Sequence, residues 1–193
     1  PNEITFEVTT YWRRSFFGGP PNNGDVIVPY SYNVGEGSSA NASAQVIFLN
    51  AGSDWIGVRQ TVTDSYSVAG SFDIRMDEGC CRLSSLQNSA DQFYELHSTI
   101  NVGTGQSTPN VNNSSPIFLV PDGGIQVFNP FAATDPDGGA LTYALSTAAL
   151  SGSVGWALPA GMSINAATGD VTWDTDAAGA DVGELFTVAF VVT

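Results

Sequence analysis

The clearest alternation of hydrophobic and polar positions lies at the two ends of the chain. Residues 3–9 place Ile4, Phe6 and Val8 between polar residues, and residues 185–193 place apolar side chains on one face: Phe186, Val188, Phe190 and Val192. Alternation with a period of two predicts a β-strand with one buried face. Because the sequence gives neither strand a closing neighbour, we expect unpaired edges that join one copy or repeat to the next.

Short runs of the same kind fill the rest of the chain, and turns rich in Gly, Pro, Asn and Asp separate them. In the first half they predict strands over 26–34, 45–49, 56–62, 71–76 and 93–102. After Ile117 they predict strands over 125–127, 141–145, 162–164 and 170–173. Helical periodicity is scarce, with short candidates at 83–91 and 146–150. Many short strands at this spacing indicate an all-β fold of the sandwich class.

A polar, uncharged segment divides the chain. Residues 103–115 contain Gly, Ser, Thr, Asn and Pro with one apolar residue, Val111, which is typical of a linker. We therefore predict a first sandwich over 1–104, a linker over 105–115 and a second sandwich over 116–193. The second sandwich would lack its last strand within the chain.

Composition narrows the possible partners. The chain has 193 residues, of which 42% are apolar, and 19 carboxylates against five arginines and no lysine give a net charge of −14. Such a surface repels nucleic acids and anionic membranes and attracts hard cations such as Ca²⁺. The chain contains no run of 18 apolar residues, which is the length needed to span a bilayer. Low charge with abundant Gly, Ser, Thr and Asn is typical of secreted β-proteins, so we expect an extracellular or cell-surface location.

The best candidate metal site is the sequence Asp135-Pro136-Asp137-Gly138. Two carboxylates two residues apart in a tight loop can converge on a calcium ion, and Asp122, Asp174 and Asp176 lie in other loops that could add oxygens. The alternative is an Asp-rich turn whose carboxylates bond their own backbone. No EF-hand spacing is present, so a calcium site here would be irregular.

A second candidate surface is Tyr11-Trp12-Arg13-Arg14, which combines aromatic rings with scarce cations. Guanidinium groups pair bidentately with carboxylates, so Arg13 and Arg14 are expected at an assembly interface. Trp12 is expected to pack in the core.

The sequence allows two kinds of covalent modification, glycosylation and disulfide formation. Asn41, Asn112 and Asn113 each begin a glycosylation acceptor sequence in a polar segment. The adjacent cysteines Cys80 and Cys81 could bond to each other in a strained ring, pair between chains or stay free.

Catalysis has no local signature. The sole histidine, His97, is expected on the outward face of a strand, and no recognisable motif places a Ser or Cys beside it. One histidine cannot build a His-rich zinc centre, and no glycine-rich phosphate loop is present. We expect a protein that is not an enzyme.

Two ordered motifs give the second half a family resemblance. Residues 131–143 read FAATDPDGGALTY and residues 158–171 read LPAGMSINAATGDV. This order resembles the dystroglycan-type cadherin-like domains, an Ig-like class found in large surface proteins. The resemblance implies an Ig-like sandwich with a role in stalks, spacers or adhesion and no chemistry.

The first half is similar to a degenerate PKD-type Ig module. Residues 28–32 read VPYSY, Gly35-Glu36-Gly37 forms a turn, and residues 63–74 read TDSYSVAGSFDI. Residues 11–15 (YWRRS) and 80–86 (CCRLSSL) look like marks of modules repeated in very long extracellular proteins. The resemblances together imply two tandem Ig-like sandwiches.

These observations predict a structural block of an extracellular filament or adhesive stalk. Copies or repeats would join head to tail, with the strand at 3–9 of one block completing the open sandwich at 185–193 of the next. The alternative is a carbohydrate-binding module of a secreted or surface protein, with Trp12, Trp55 or Trp156 as the sugar platform. Buried tryptophans would argue against it.

Overall fold

The computed structural model describes residues 2–27, 31–36, 39–41, 43–79, 81–112, 115–153 and 155–193. The chain is nearly all β, as the sequence predicts. Its strands are β1 (Asn2–Arg13), β2 (Val26–Ile27), β3 (Ser31–Asn33), β4 (Ser39–Asn41), β5 (Ala44–Asn50), β6 (Trp55–Tyr66), β7 (Gly70–Gly79), β8 (Tyr94–Val102), β9 (Asn110–Asn112), β10 (Ile125–Phe128), β11 (Ala132–Thr134), β12 (Tyr143–Leu145), β13 (Met162–Ile164), β14 (Val171–Asp174) and β15 (Phe190–Val192). A 3-10 turn, Arg14–Phe16, follows β1, and the short helix α1 spans Thr175–Ala178.

The chain forms two compact units, and each is discontinuous in sequence. Unit 1 comprises Pro1–Met76 and Thr99–Gly105, and unit 2 comprises Asp77–Ser98 and Gln106–Thr193. The chain therefore passes between the units after residues 76, 98 and 105. We call Asp77–Ser98 the insertion, because it lies within the first half of the sequence but belongs to unit 2. The domain limits given by the sequence stay predictions.

Unit 1 is built on two four-stranded sheets, in the orders β1-β6-β5-β2 and β4-β3-β7-β8. β1 and β6 pair antiparallel without interruption from Asn2 opposite Tyr66 to Arg13 opposite Trp55. The strand that begins with residues 3–9 therefore continues to Arg13, with Thr10 and Trp12 buried. β5 pairs antiparallel with the other side of β6, with one irregularity in register between Val46 and Phe48.

The inward faces of these sheets form the core of unit 1. Tyr66, Ile74, Ile100 and Val102 form a buried cluster, against which pack the partly buried side chains of Ile4, Phe6 and Phe72. Burying one such apolar side chain contributes about 1.5–3 kcal/mol. Side chains on one strand face share the period of two, so the pattern that predicts β1 also places its residues in this core.

Two tyrosines place hydroxyl groups inside that core. Tyr32 donates to the Gln60 Oε1 atom at 2.6 Å, and Tyr66 donates to the Val34 carbonyl at 3.0 Å. Burial raises the pKa of Tyr66, and the carboxylates of Asp64 and Glu36 raise it further. The folded state thus favours the neutral phenol, which keeps its hydrogen bond.

Unit 2 has smaller sheets: β10-β14-β13, β11-β9 and β12-β15. Its buried apolar residues include Trp156, Val171 and Trp173. The Asp174 side chain caps α1 by accepting from the Ala177 amide at 3.0 Å. Gly169 has φ +76° and a Cβ there would lie 3.1 Å from the Tyr143 ring, so this turn requires glycine.

Several predicted elements differ from the structure. Residues 83–91 and 146–150 contain turns and no helix. The predicted strand over 185–193 is regular only at Phe190–Val192, and Ile117 belongs to no strand. The predicted strand over 26–34 corresponds to β2 and β3, with 28–30 outside the described residues. Within β8, Ile100 and Val102 are buried in unit 1, whereas Leu96, which belongs to unit 2, is 40% exposed.

The buried phenol of Tyr66 gives a stability prediction. Tyr66→Phe removes the hydrogen bond to Val34, and we expect the free energy of unfolding at neutral pH to fall by about 1–3 kcal/mol. The raised pKa means that Tyr66 contributes stability below its ordinary value of 10.0, a contribution lost as pH rises through the folded pKa. The variant should therefore lose less stability than the wild type above pH 10.0.

Urea unfolding followed by tryptophan fluorescence at several pH values checks both effects. Tyr143→Phe is the matched control, because the Tyr143 hydroxyl makes no hydrogen bond within the described part of the chain. Equal losses in the two variants at neutral pH would contradict the role given to the Tyr66 hydroxyl.

The discontinuity of unit 2 gives a second prediction. A fragment of residues 106–193 lacks the insertion and therefore every hydrogen bond between the insertion and the rest of unit 2. We expect this fragment to melt broadly or to be unfolded, and a synthetic peptide of residues 77–98 to restore a cooperative transition. Circular dichroism during heating measures both. A sharp transition of 106–193 alone, as cooperative as that of the full chain, would show that the insertion is dispensable.

Candidate functional site

The N-terminal strand lies at the edge of its sheet. β1 pairs with β6 on one side, and within the described chain no strand pairs with its other side. Ile4, Phe6 and Val8 are partly buried and point inward, while the exposed Glu3, Thr5, Glu7 and Thr9 lie on the outward face. Phe6 also meets the Tyr32 ring edge-on at a centroid distance of 5.9 Å. The residues predicted as assembly anchors therefore pack within their own unit.

The C-terminal strand is paired within unit 2. β15 runs antiparallel to β12, with Val192 opposite Tyr143 and Phe190 opposite Leu145. The backbones of Thr142 and Thr193 exchange both of their hydrogen bonds, at 2.7 and 3.0 Å. The sequence predicted no neighbour for this strand, and β12 supplies one.

The four apolar residues of the predicted terminal strand are partly buried. Phe190 meets the Phe131 ring edge-on at 4.7 Å, and Phe186 meets the Trp173 ring edge-on at 5.4 Å. At least Phe186 and Phe190 therefore contribute to the packing of unit 2.

The insertion secures the segment that precedes β15. Asn88 donates from Nδ2 to the Thr187 carbonyl at 2.8 Å and accepts at Oδ1 from the Thr187 amide at 2.9 Å. It also donates to the Ala157 carbonyl at 2.7 Å. Leu86 forms a parallel bridge with Leu185, whose carbonyl accepts from the Gln87 amide at 2.9 Å. The Asn88 amide thus pairs with Thr187 as a neighbouring strand would.

A second anchor of the insertion is Arg82. Its Nη2 donates to the Ser151 carbonyl at 2.7 Å, and that carbonyl also accepts from the Glu95 amide at 3.2 Å. Burial lowers the pKa of the Arg82 guanidinium, and Tyr94 acts in the opposite direction. The insertion therefore contacts the rest of unit 2 through polar groups of Arg82, Asn88 and Glu95.

One edge of β15 remains without a strand. In an antiparallel ladder the backbone groups of successive residues point to alternate sides. Thr193 bonds toward Thr142 and the Ala189 carbonyl bonds toward Ser146, so the groups of Phe190 and Val192 point away from β12. No strand of the described chain pairs with that side.

The outward face of the β1-β6-β5-β2 sheet carries an aromatic cluster. Phe48 stacks on Trp55 with ring centroids 4.6 Å apart, and Tyr11 meets Trp55 edge-on at 5.5 Å. Gly57 lies between them, and a Cβ on Gly57 would come within 3.2 Å of both Phe48 and Tyr11. Phe48 remains 43% exposed. We call Tyr11, Phe48 and Trp55 the aromatic face; sequence analysis selected only Tyr11 and Trp55.

Arginines border this face. Arg13 lies 3.9 Å from Asp54, and Arg59 lies 3.2 Å from Glu7. All four side chains are about half exposed, so these pairs contribute little stability. Arg14, the other predicted interface cation, donates instead to the Pro21 carbonyl at 2.8 Å and to Asn22 at 3.2 Å, within the loop that follows β1.

Two of the proposed sugar-platform tryptophans are buried. Trp12 is 7% exposed and donates from Nε1 to Thr10 Oγ1 at 2.8 Å, and Trp156 is 4% exposed and donates to the Thr187 carbonyl at 3.3 Å. Neither ring can form a sugar platform, and the core position expected for Trp12 is confirmed. Trp55 is partly exposed but stacks on Phe48.

The aspartates of the predicted calcium loop bond the backbone. Asp135 Oδ1 accepts from the Asp137 amide at 2.7 Å, and Asp137 Oδ2 accepts from the Ser107 amide at 2.6 Å. Asp176 accepts from the Gly124 amide at 3.0 Å, and Asp174 caps α1. Among the described residues, no three His, Cys, Asp or Glu side chains are grouped so that they could hold a metal ion.

The predicted glycosylation sites and the cysteines lie partly outside the described residues. Asn41 and Asn112 end β4 and β9, and Asn113 lies outside the described residues. Cys81 is in a disulfide, and Cys80 lies outside the described residues. His97 contacts Glu95 at 2.6 Å with 15% of its side chain exposed, so it is more buried than the sequence suggested. No helix in the described part of the chain is both long and apolar enough for a membrane span.

The sheets of the two units define an all-β protein of the Ig-like sandwich class. The chain belongs to the family described as "Integrin beta-like protein A-E, N-terminal", which matches residues 1–103. The family described as "Putative Ig domain" matches residues 108–193. Both are adhesion-type and non-enzymatic families.

One curated relative extends over nearly the whole chain. "Integrin beta-like protein A" of Dictyostelium discoideum is 27% identical over 196 residues, covering 92% of this chain and 10% of the relative. The chain thus spans about a tenth of that relative's length. No solved structure matches the chain. The Ig-like character predicted for the second half is confirmed, while the narrower resemblances to dystroglycan-type and PKD-type modules receive no support.

The bonds of Asn88 give a prediction for unit 2. Asn88→Asp keeps the size of the side chain and an acceptor for the Thr187 amide, but it replaces the donor with an oxygen facing two carbonyls. We expect a loss of at least about 2 kcal/mol in the free energy of unfolding, because hydrogen-bonded carbonyls are left unpaired. Chemical unfolding followed by tryptophan fluorescence, to which Trp156 and Trp173 of unit 2 contribute, measures it.

The control is Gln87→Ala. The Gln87 side chain is exposed, and the backbone bond of Gln87 to Leu185 survives the substitution. An Asn88→Asp variant as stable as Gln87→Ala would mean that the Asn88 side chain does not secure the terminal segment.

Proposed function

We propose that this chain is an adhesion-type extracellular module that assembles head to tail, as copies or as successive repeats, into a filament or stalk. The observation that carries the proposal is β1, a strand of 12 residues at the edge of its sheet. A long edge strand presents a row of backbone donors and acceptors to a further strand.

Natural proteins usually protect such edges. Proline, lysine and β-bulges are the common devices, because each disrupts pairing with a new strand. β1 contains no proline, the chain as a whole contains no lysine, and the register of β1 with β6 runs from residue 2 to residue 13 without a shift. An edge so regular and so long supports a role in pairing.

The packing of β1 favours one form of assembly over another. Donation of the whole strand to a neighbour would break its ladder with β6 and remove Ile4 and Phe6 from the core. Pairing through the outer edge of β1 leaves both intact. We therefore propose edge-to-edge addition, with the free side of β15 as the partner edge, in place of the strand exchange that the sequence suggests.

A contact between two different edges is heterologous. Because the same contact can be repeated by each added copy, such contacts propagate into filaments when they do not close into a ring. Repeats in one long chain would present the same edges at a fixed spacing. The relative's length, about ten times the matched span, supports a place in a large surface protein.

Calcium and glycans remain predictions of the sequence within this proposal. Asp135 and Asp137 each use one oxygen to bond the backbone, which favours the structural alternative for this loop. Glycosylation at Asn41, Asn112 or Asn113 rests on the sequence patterns alone.

One pair of substitutions tests the edge of β1. Thr5 and Thr63 lie opposite each other on the same face and share one hydroxyl hydrogen bond of 2.9 Å. Thr5→Lys places a charge on the edge strand, while Thr63→Lys places the same charge on the central strand and removes the same bond. We expect Thr5→Lys to weaken self-association at least about tenfold, a difference of about 1.4 kcal/mol.

Sedimentation velocity over a range of concentrations measures association, and negative-stain electron microscopy shows its form. Thr63→Lys should associate nearly as the unmodified chain does. A wild-type chain that stays monomeric at millimolar concentration would overturn assembly between separate copies, and equal weakening by both variants would overturn the role of the edge.

A further inference from the structure

The aromatic face combines the 43% exposed ring of Phe48 with the partly buried rings of Tyr11 and Trp55. Its residues stand on the side of the sheet opposite to the core, in the register rows that contain Arg13 and Arg59. Exposed aromatic residues beside arginine are typical of the energetic centres of protein interfaces. Val26, on β2 of the same sheet, adds an apolar side chain that is 67% exposed.

The backbone gives the aromatic face a defined shape. Phe48 and Tyr11 both approach the Cα of Gly57, which a larger residue would prevent. Trp55 is held on one side by the stacked Phe48 ring and on another by the Tyr11 ring. Side chains fixed in this way lose little conformational entropy when a partner binds.

The charge around this face differs from that of the rest of the molecule. Arg13, Arg14 and Arg59 are three of the five cations in a chain of net charge −14. Residues 106–193 contain no cation, and their acids are Asp122, Asp135, Asp137, Asp170, Asp174, Asp176, Asp181 and Glu184. The acidic surfaces of residues 106–193 of two copies repel each other. The face of unit 1 that is bordered by arginines does not repel such an acidic surface.

Unit 2 also carries an apolar strip that fits such a partner. β10 is the outer strand of its sheet, and Ile125 and Val127, on one face of it, are 68% and 67% exposed. Asp174 lies opposite Ile125 in the ladder, and Asp122 precedes the strand. The strip therefore combines two exposed β-branched side chains with nearby carboxylates.

We infer that the aromatic face of one copy docks the Ile125–Val127 strip of a second copy, with Arg13 and Arg59 facing its carboxylates. The occupant is a second copy because the same chain contains both the arginine-bordered apolar face and a cation-free apolar strip of opposite character. This inference rests on the proposed head-to-tail assembly and names side chains that select the partner.

The test uses full-length chains with one surface removed in each. Phe48→Thr removes the exposed ring of the aromatic face, and Val127→Thr makes the β10 strip polar while keeping a β-branched residue. Each variant alone should self-associate at least about tenfold more weakly than the unmodified chain. Mixed in equal amounts, they should form a heterodimer that does not grow, because one intact surface of each kind remains.

Controls separate docking from folding and from general surface polarity. Val68→Thr and Val182→Thr change valines that are 59% and 83% exposed elsewhere in unit 1 and unit 2, and both should associate as the unmodified chain does. Thermal unfolding of all variants establishes that each is folded. Association should also weaken with added salt, because the proposed contact brings arginines to carboxylates.

Sedimentation velocity of each variant and of the mixture gives a decision. Heterodimers formed only in the mixture support the inference. If the Phe48→Thr and Val127→Thr variants each associate as strongly as the unmodified chain, this docking is overturned. The head-to-tail proposal is then unaffected. A wild-type chain without association between separate copies overturns both this docking and the assembly of separate copies. Failure of Thr5→Lys alone to weaken association affects only the edge proposal.

Discussion

The ladder between β1 and β6 is the constraint on which unit 1 depends. Its register fixes which side chain of each strand points inward, since successive residues alternate between the two faces of a sheet. A shift of β1 by one residue would bring Glu7 into the core and expose Phe6. The same ladder that buries the core thus also sets the outward rows that hold Tyr11 and Trp55.

Residues whose position depends on local pattern could be predicted from the sequence. β1, β6 and β7 alternate clearly, and the inward positions of Phe6, Ile74 and Met76 follow from that alternation. Trp12, which was expected to pack in the core, is buried there. The aromatic face could not be predicted from the sequence, because its formation depends on the register of three strands and on an irregularity in β5. A glycine within a long strand, Gly57, was the available signal.

Contacts over long sequence separations account for what the sequence failed to show. Residues 83–91 offered a weak helical pattern, but Leu86 and Asn88 are held by Leu185 and Thr187. No local feature marks an asparagine that will pair with a backbone 99 residues away. The Asp-Pro-Asp-Gly loop shows the opposite case, because its carboxylates satisfy neighbouring amides, as short turns commonly do.

The discontinuity of unit 2 bears on how the chain folds during synthesis. A ribosome releases the insertion early, yet the partners of Asn88 at Ala157 and Thr187 emerge only near the end of the 193 residues. Leu86 and the Asn88 amide must therefore remain without their native partners while about half of the chain is translated, and such delayed, long-range closure slows folding and exposes nascent chains to aggregation. In a protein made of many such modules, neighbouring chains would compete for these partners, so secretion would favour conditions that keep each module apart until its last strand is complete.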